Sequence, residues 1–197
     1  MKAVLFDLDG TLTDTFELWY RCVGGLVERH TEKLLKKKEY RSRYWGMDSR
    51  GKIRALITTE PEEVERLYGE LQELLLSNIP LVTALPGVAE TIRELAGTCK
   101  LGVISNSSMR FLEAQLSHVN LMRCFDARIA DAKPKPDPDG LLRACRELKV
   151  KPVEAVFVGD SRFDEGAGKN AGIRTIIIGK DVKGIGEILR EISGTGK

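Results

Sequence analysis

Five short runs of apolar residues predict the strands of a sheet. They are Ala3–Phe6, Leu101–Ser105, Ala127–Ala130, Ala155–Gly159 and Thr175–Gly179. Each run is continuously apolar, as expected of strands that are covered on both faces of a parallel sheet. Segments with helical spacing follow the later strands, over Met109–Leu116, Gly140–Leu148 and Asp164–Ala171. This alternation of strands and helices predicts a doubly wound α/β core.

The connection between the first two strands is far longer than the others. The later connections take roughly 15–25 residues, which is enough for one helix and its loops. More than 90 residues separate Phe6 from Leu101, so this connection must contain additional structure.

Two amphipathic stripes within the long connection predict that its content is helical. One stripe runs from Phe16 to Leu34, and the second runs from Val64 to Leu75. Thr59 and Glu62 have the spacing of a capping box that would begin the second helix. We therefore predict a small all-α domain over residues 14–85, inserted after strand one of a core that comprises residues 1–13 and 86–197.

The composition is that of an ordinary globular protein. The chain has a net charge of +2, which gives no reason to expect a nucleic-acid partner, and no run of 18 apolar residues that could span a membrane. The first strand begins directly after Met1 and Lys2, so we expect no signal peptide. Four widely separated cysteines indicate free thiols, so we expect a cytoplasmic protein. The sequence sets no oligomeric state.

Polar residues follow the predicted strands where each strand ends. The carboxyl ends of parallel strands meet at one edge of a doubly wound sheet, where ligands bind. Several unpaired carboxylates at one edge repel each other unless a cation lies among them, and oxygen ligands favour Mg²⁺. A lysine and a hydroxyl beside the cation suit an anion such as phosphate. The residues concerned are Asp7, Asp9, Ser105, Asn106, Lys133, Asp160 and Asp164.

The four segments that carry these residues resemble the motifs of the haloacid dehalogenase superfamily. In chain order they are Asp7-Leu-Asp-Gly-Thr11, Ile104-Ser-Asn106, Lys133-Pro-Lys-Pro-Asp137 and Gly159-Asp-Ser-Arg-Phe-Asp164. The resemblance covers the whole core, and the phosphoglycolate-phosphatase-like and sugar-phosphate-mutase-like branches are the most similar. It implies a Rossmann-like catalytic core with a helical cap. The insertion in this chain is at the position of the family's cap.

The resemblance also implies a role for each motif residue. Asp7 would be the nucleophile that forms an aspartyl-phosphate, and Asp9 would be the general acid and then the general base. Mg²⁺ would be held by Asp7, by the backbone carbonyl of Asp9 and by Asp160, and Asp164 would help through a metal-bound water. The catalytic Ser105 and Lys133 would grip the transferring phosphoryl group, together with Gly10 and Asn106. Lys135 could also reach the site, but the family spacing favours Lys133.

A segment of the insertion is the candidate for substrate selection. Tyr44 and Trp45 bring large side chains to a charged region between the two helical stripes, and Arg43 or Arg50 could bind an anion on the substrate. The alternative is that Trp45 fills the core of the insertion and that the arginines are solvated.

The expected function is Mg²⁺-dependent hydrolysis of a small phosphomonoester, and the expected partner is a small phosphorylated metabolite. A sugar-phosphate mutase of the same superfamily is an alternative, although Gly159 before Asp160 resembles the phosphatase branch. A non-catalytic phosphoaspartate or binding module is a second alternative, from a different class of protein.

Overall fold

The computed structural model describes residues 1–193, and a five-stranded parallel sheet lies at its centre. The strand order is β5-β4-β1-β6-β7, and every neighbouring pair is parallel. This confirms the predicted α/β class and its doubly wound sheet. The strands of this sheet are β1 (Ala3–Phe6), β4 (Lys100–Ile104), β5 (Ala127–Ile129), β6 (Ala155–Gly159) and β7 (Arg174–Ile177).

The first strand occupies the middle of the sheet, between β4 and β6. All four of its residues are buried, which explains why its sequence is apolar without alternation. From β1 the chain fills one side of the sheet with β4 and β5, and it then crosses to form β6 and β7 on the other side. The strand order therefore reverses at β1, and such a point is where a doubly wound sheet opens a crevice for ligands.

Helices cover both faces of the sheet, and each face has its own hydrophobic cluster. Val4 and Phe6 contribute to one cluster, whereas Ala3 and Leu5 contribute to the other. None of the helices within residues 1–193 has the length and apolar character needed to cross a membrane. The helices of the core are α5 (Val88–Ala96), α6 (Met109–His118), α7 (Asp139–Leu148), α8 (Arg162–Ala171) and α9 (Ile188–Ser193).

Residues 14–85, within the long connection between β1 and β4, contain four α-helices. They are α1 (Phe16–Thr31), α2 (Lys37–Glu39), α3 (Ser49–Leu56) and α4 (Pro61–Ser77). Their buried side chains form a third hydrophobic cluster, to which Phe111 of α6 also belongs. Two short strands, β2 (Thr13–Asp14) and β3 (Thr83–Ala84), pair in an antiparallel manner where the segment leaves and rejoins the core.

Two local details of the insertion differ from the sequence-based expectation. The helix α4 begins at Pro61 and has no side-chain cap, so the capping box of Thr59 and Glu62 does not form. Proline is favoured at the first helical position, because the N–H group that it lacks would have no partner within the helix there. The first stripe ends early, since Leu34 is 77% exposed and Leu35 is buried in its place.

Candidate active site

Three carboxylates meet at the carboxyl edge of the sheet. Asp7 directly follows β1, Asp160 directly follows β6, and Asp164 lies in the first turn of α8. Each offers one oxygen atom, and these three atoms lie within 4.8 Å of one another. Asp7 is 6% exposed and Asp164 is 1% exposed. The structure therefore brings together three of the four predicted metal ligands by their side chains.

The lysine beside these carboxylates is Lys135. Its ammonium group donates to Asp7 Oδ1 and to Asp164 Oδ1, the latter over 2.6 Å. The side chain of Asn106 holds the backbone of Lys135 in place, because Asn106 Oδ1 accepts from the Lys135 N–H over 2.8 Å. This backbone contact joins the segment after β5 to the end of β4 and directs Lys135 into the site.

The prediction that Lys133, and not Lys135, enters the site is therefore wrong. Lys133 is exposed, and its backbone N–H donates to Asp139 Oδ2 over 3.3 Å at the start of α7. Asn106 binds the main chain two residues further on, at Lys135. Family spacing favoured the first lysine of the segment, but this backbone hydrogen bond selects the second.

Asp9 lies apart from the cluster of three carboxylates, in a network of hydrogen-bond donors. Its Oδ1 accepts from the hydroxyl of Thr15 over 2.8 Å, from the indole N–H of Trp19 over 2.9 Å and from the amide of Gln115 over 3.1 Å. Its Oδ2 accepts from Ser107 over 3.0 Å and from Ser105 over 3.4 Å. The network fixes the direction of the carboxylate, and its hydroxyl donors can turn when a ligand enters.

Ser105 and Asn106 occupy the end of β4, as predicted. The hydroxyl of Ser105 accepts from the Ser107 N–H over 3.0 Å and faces Asp9. Asn106 uses its side chain to bridge two segments, since its Nδ2 donates to the carbonyl of Gly46 over 2.9 Å. The predicted phosphate-binding residues of this strand end therefore lie at the site, and Asn106 also positions its neighbours.

Gly10 allows the turn after β1 to pass very close to Asp160. Its φ of +88° is one that L side chains rarely adopt, and a Cβ atom there would lie 2.4 Å from Asp160 Oδ2. The same Cβ would lie 2.8 Å from the ring of Trp45. A side chain at position 10 would therefore displace both groups.

The acidic cluster carries more negative charge than Lys135 balances. Burial and the charge of Asp164 raise the pKa of Asp7 well above its ordinary value, although Lys135 opposes the shift. Burial and Asp164 also raise the pKa of Asp160 to about 7, against the hydrogen bond from Trp45. Burial alone would lower the pKa of Lys135, but the charges of Asp164 and Asp7 outweigh it and raise that pKa. Closely spaced oxygen ligands with excess negative charge fit a hard divalent cation.

The inserted helices reach the site through Trp45 and Gly46. The indole N–H of Trp45 donates to Asp160 Oδ2 over 2.7 Å, and its ring packs on Phe16 with the ring centres 5.1 Å apart. Gly46 has a φ of +80°, and a Cβ atom there would lie 2.7 Å from the hydroxyl of Ser161. Trp45 therefore contacts the core site and also fills the core of the insertion. Its part in substrate selection stays a prediction.

The other three candidates for substrate selection differ in their surroundings, and Arg50 lines a pocket that also includes Ser105 and Asn106. Arg43 is exposed, and Tyr44 packs against the hydrophobic cluster of the insertion. Arg50 donates from two nitrogens to Glu65, each over 2.7 Å, and its guanidinium lies 3.7 Å from the ring centre of Tyr68. Because internal partners already hold Arg50, a substrate would have to compete with them.

Several residues at the site were not predicted from the sequence. Gln115 is fully buried on the apolar face of α6, and a glutamine on such a face is the signal that could have revealed it. Lys52 lines the same small cavity as Asp7 and Asp9 but gave no signal, because a lysine in a short helix is normally solvated. The cavity has a volume of about 30 Å³, so it holds little more than water in this arrangement.

The fold and the acidic site together define the class of protein, a hydrolase with an α/β core. The family described as haloacid dehalogenase-like hydrolase matches residues 4–178, so the chain belongs to this family. A pyrophosphatase, PpaX, from Bacillus velezensis is 30% identical, and the alignment covers 93% of this chain and 86% of that relative. An N-acetylmuramic acid 6-phosphate phosphatase from Pseudomonas putida is also 30% identical, with coverage of 90% and 82%.

Solved structures of the family share the same fold. The structure of CbbY from Rhodobacter sphaeroides in complex with phosphate has a TM-score of 0.82 and 25% identity, covering 95% of this chain and 96% of that chain. The curated relatives are named as phosphatases. They confirm the prediction that the protein is an enzyme, a phosphoric monoester hydrolase.

We expect the metal-free protein to lose stability as the pH rises from about 4 to about 7. In the folded protein the pKa of Asp160 is about 7, against 3.8 for an ordinary aspartate. Between these values the native state holds a proton that the unfolded state has released, so raising the pH lowers the free energy of unfolding. The raised pKa of Asp7 acts in the same direction. Thermal melting in the presence of a chelator measures this slope.

Asp160→Asn should reduce the slope, whereas Asp14→Asn is the matched control because Asp14 is exposed. Mg²⁺ added above pH 7 should raise the melting temperature of the wild type and of Asp14→Asn, since ionised carboxylates bind it. The rise should be smaller for Asp160→Asn. Metal-free wild-type protein that became more stable across this pH range would contradict the expectation.

Proposed function

We propose that the protein is a Mg²⁺-dependent phosphatase that hydrolyses a small phosphomonoester through an aspartyl-phosphate on Asp7. The observation that carries this proposal is the arrangement around Asp7. The carboxylate lies beside the cation of Lys135 and next to two further carboxylates, while Asp9 stands apart in its own network. A nucleophile, a charge-stabilising group and an acid–base group are thus collected at one edge of the sheet.

The residues that would hold Mg²⁺ are Asp7, Asp160 and Asp164, with the backbone carbonyl of Asp9 as a further ligand. Support comes from the three clustered oxygens and from the raised pKa values of Asp7 and Asp160. The bound ion would stabilise negative charge on the transferring phosphoryl group.

The first chemical step is the attack of an Asp7 carboxylate oxygen on phosphorus, which breaks the bond between phosphorus and the ester oxygen. Lys135 holds Asp7 at one oxygen and keeps a positive charge beside it. The Ser105 hydroxyl and the backbone N–H of Asn106 would donate to the phosphoryl oxygens, whereas the Gly10 N–H already donates to the carbonyl of Thr13 over 2.8 Å. Charge stabilisation of this kind supplies most of the catalysis in phosphoryl transfer.

Asp9 is the proposed general acid and base. In the first step it gives a proton to the departing ester oxygen, and in the second it takes a proton from the water that hydrolyses the aspartyl-phosphate. The donors from Thr15, Trp19 and Gln115 hold one of its oxygens, so the other oxygen remains for this exchange. Ser107 and Ser105 face that second oxygen.

Residues 14–85 would act as a cap domain over this site. Their hydrophobic cluster, which Phe111 of α6 also joins, and the paired strands β2 and β3 at their ends support a unit whose chain leaves and re-enters the core at one place. The small volume of the cavity supports opening of the cap for substrate entry. Of the four residues predicted to select the substrate, Trp45 is the candidate for contact with the bound substrate or metal.

A hydrolase is favoured over a mutase by Gly159, the residue before Asp160. A Cβ atom at position 159 would lie 2.4 Å from the Cβ of Asp164. An acidic residue, as many mutases of the superfamily have there, would therefore require Asp164 to move.

The test is an assay of the purified protein with p-nitrophenyl phosphate and a panel of small metabolite phosphates, with Mg²⁺ and with chelator. We expect hydrolysis with Mg²⁺, and loss of activity in excess chelator that added Mg²⁺ restores. Full activity in excess chelator would refute the metal assignment. Binding of phosphates without any turnover would favour the non-catalytic alternative.

A further inference from the structure

Lys52 is a buried cation to which the proposed mechanism gives no role. Its side chain is 4% exposed and lines the same cavity as Asp7, Asp9 and Ser105. Burial lowers its pKa to about 8, although Asp9 and Asp48 oppose the shift. Lysine is almost never fully buried unless it is paired, so this position requires a physical reason.

The ammonium group of Lys52 has unused capacity for hydrogen bonds. It donates to the carbonyl of Met47, in the loop that carries Gly46. An ammonium group has three N–H donors, so this contact leaves two for other partners. None of the ion pairs formed within residues 1–193 includes Lys52, whereas Lys135 in the same site has two carboxylate partners.

Lys52 lies at the Asp9 end of the site, where the proposed mechanism has the leaving group depart. Its ammonium lies 4.5 Å from the ring centre of Trp19, and the indole N–H of that ring donates to Asp9 Oδ1 over 2.9 Å. Lys135 lies at the other end, on Asp7. Since Asp9 passes its proton to the ester oxygen, groups attached near that oxygen must come close to Lys52.

The helix α3 holds Lys52 in a fixed direction. Asp48 caps this helix by accepting from the Gly51 N–H over 2.9 Å, and Ile53 anchors it in the hydrophobic cluster of the insertion. Ser49 lies three residues before Lys52 and so shares its face of the helix. The Ser49 hydroxyl is buried, has no hydrogen-bond partner within residues 1–193 and lines an adjoining pocket of about 200 Å³. Two polar groups of α3 thus face space into which a leaving group can extend.

We propose that Lys52 selects phosphomonoesters whose leaving group carries a second anionic group, a carboxylate or a phosphate, within a few bonds of the ester oxygen. This inference rests on the phosphatase function proposed above. A desolvated ammonium with two available N–H groups gives such an anion strong charge-assisted hydrogen bonds. Arg50 is less suited to this role, because Glu65 and Tyr68 already bind its guanidinium.

The experiment compares matched pairs of substrates that differ in this anion. The first pair is 2-phosphoglycolate and 2-hydroxyethyl phosphate, which tests a carboxylate. The second pair is ethylene glycol bisphosphate and 2-hydroxyethyl phosphate, two alkyl esters that differ in the second phosphate. We expect the wild type to prefer the anionic member of at least one pair in kcat/KM.

The variants are Lys52→Met, which removes the charge at similar volume, and Lys52→Arg, which keeps it. Lys38→Met is the control, because Lys38 is an exposed lysine of the same insertion. Lys52→Met should lower kcat/KM for the preferred anionic substrate by about 10- to 100-fold, the size expected for a lost hydrogen bond to a charged group. It should change the neutral partner by less than about threefold, and Lys52→Arg should keep part of the preference.

Equal losses on both members of a pair would overturn the inference, because Lys52 would then serve only to hold the Met47 loop. A wild type without preference for either anionic member would overturn it as well, and this result does not depend on how any variant folds. If Lys52→Met does not melt cooperatively, Lys52→Gln replaces it. A wild type that hydrolyses no substrate with Mg²⁺ would instead refute the proposed function itself, whereas efficient hydrolysis without preference refutes this inference alone.

Discussion

Replacement of Asp7 by asparagine is expected to abolish turnover and leave the fold intact. An amide cannot act as the nucleophile, so we expect kcat to fall by at least about 10⁴-fold. The change should not destabilise the metal-free protein. Burial and the charge of Asp164 raise the pKa of Asp7, which means that the folded protein holds the Asp7 carboxylate unfavourably. A neutral amide of the same shape removes this repulsion.

The measurement combines an assay, a melting curve and chemical trapping. Asp7→Asn should melt in chelator above pH 7 at the wild-type temperature or higher, so that lost activity cannot be attributed to unfolding. In the wild type, trapping of the covalent intermediate followed by peptide mass spectrometry should label Asp7. Appreciable hydrolysis by a clean preparation of Asp7→Asn, or a label on serine or histidine, would contradict the mechanism.

Removal of the Lys135 ammonium is expected to have the second largest effect. Lys135→Met takes away the cation that binds both Asp7 and Asp164, so charge on the transferring phosphoryl group loses its fixed partner. We expect kcat to fall by about 10²- to 10³-fold at saturating Mg²⁺, as for other groups that stabilise a developing charge. The variant should also be less stable, because removal of one partner from a buried ion pair leaves the other uncompensated.

Lys133→Met is the matched control, two residues away in the same segment. Lys133 is exposed and contacts Asp139 through its backbone, so this variant should keep near-normal activity and stability. Lys135→Arg should recover stability better than activity, since it restores the charge with a different shape. Strong loss in Lys133→Met together with weak loss in Lys135→Met would contradict the geometry.

The fold and the chemical character of the site could be predicted because both depend on strands. A run such as Ala155–Gly159 is apolar only because helices cover both of its faces, and its end fixes where Asp160 lies. All five strands of the sheet are parallel, so every strand end falls on the same edge. Strand ends therefore place Asp7, Ser105 and Asp160 together without any knowledge of loops.

The choice between Lys133 and Lys135 could not be made in this way, because it depends on one hydrogen bond between segments. Asn106 is 29 residues from Lys135 in the chain, and only the folded structure shows which backbone N–H its side chain accepts. Lys133 and Lys135 lie in the same segment and each is followed by a proline, so the local sequence pattern does not distinguish them.

It was also not possible to predict which side chains of the inserted segment reach the site, because some of them bind partners within the insertion. Arg50 was a reasonable candidate for an anion, but Glu65 on the next helix binds it through two hydrogen bonds. Lys52, two residues later, faces the site, and helical spacing alone could not tell which side of α3 does so. Sequence pattern located the segment that reaches the site, and tertiary packing decided which of its residues arrive there.

The positions of the two tryptophans have an optical consequence. The chain contains only Trp19 and Trp45, and their indole N–H groups donate to Asp9 and Asp160 respectively. Indole emission depends on nearby charge and water, so all tryptophan fluorescence of this protein originates at one site. Occupation of the acidic cluster or of the space beside Lys52 should therefore change the emission without any added label. Trp19→Phe and Trp45→Phe would separate the signal at the acid–base end from the signal at the acidic cluster.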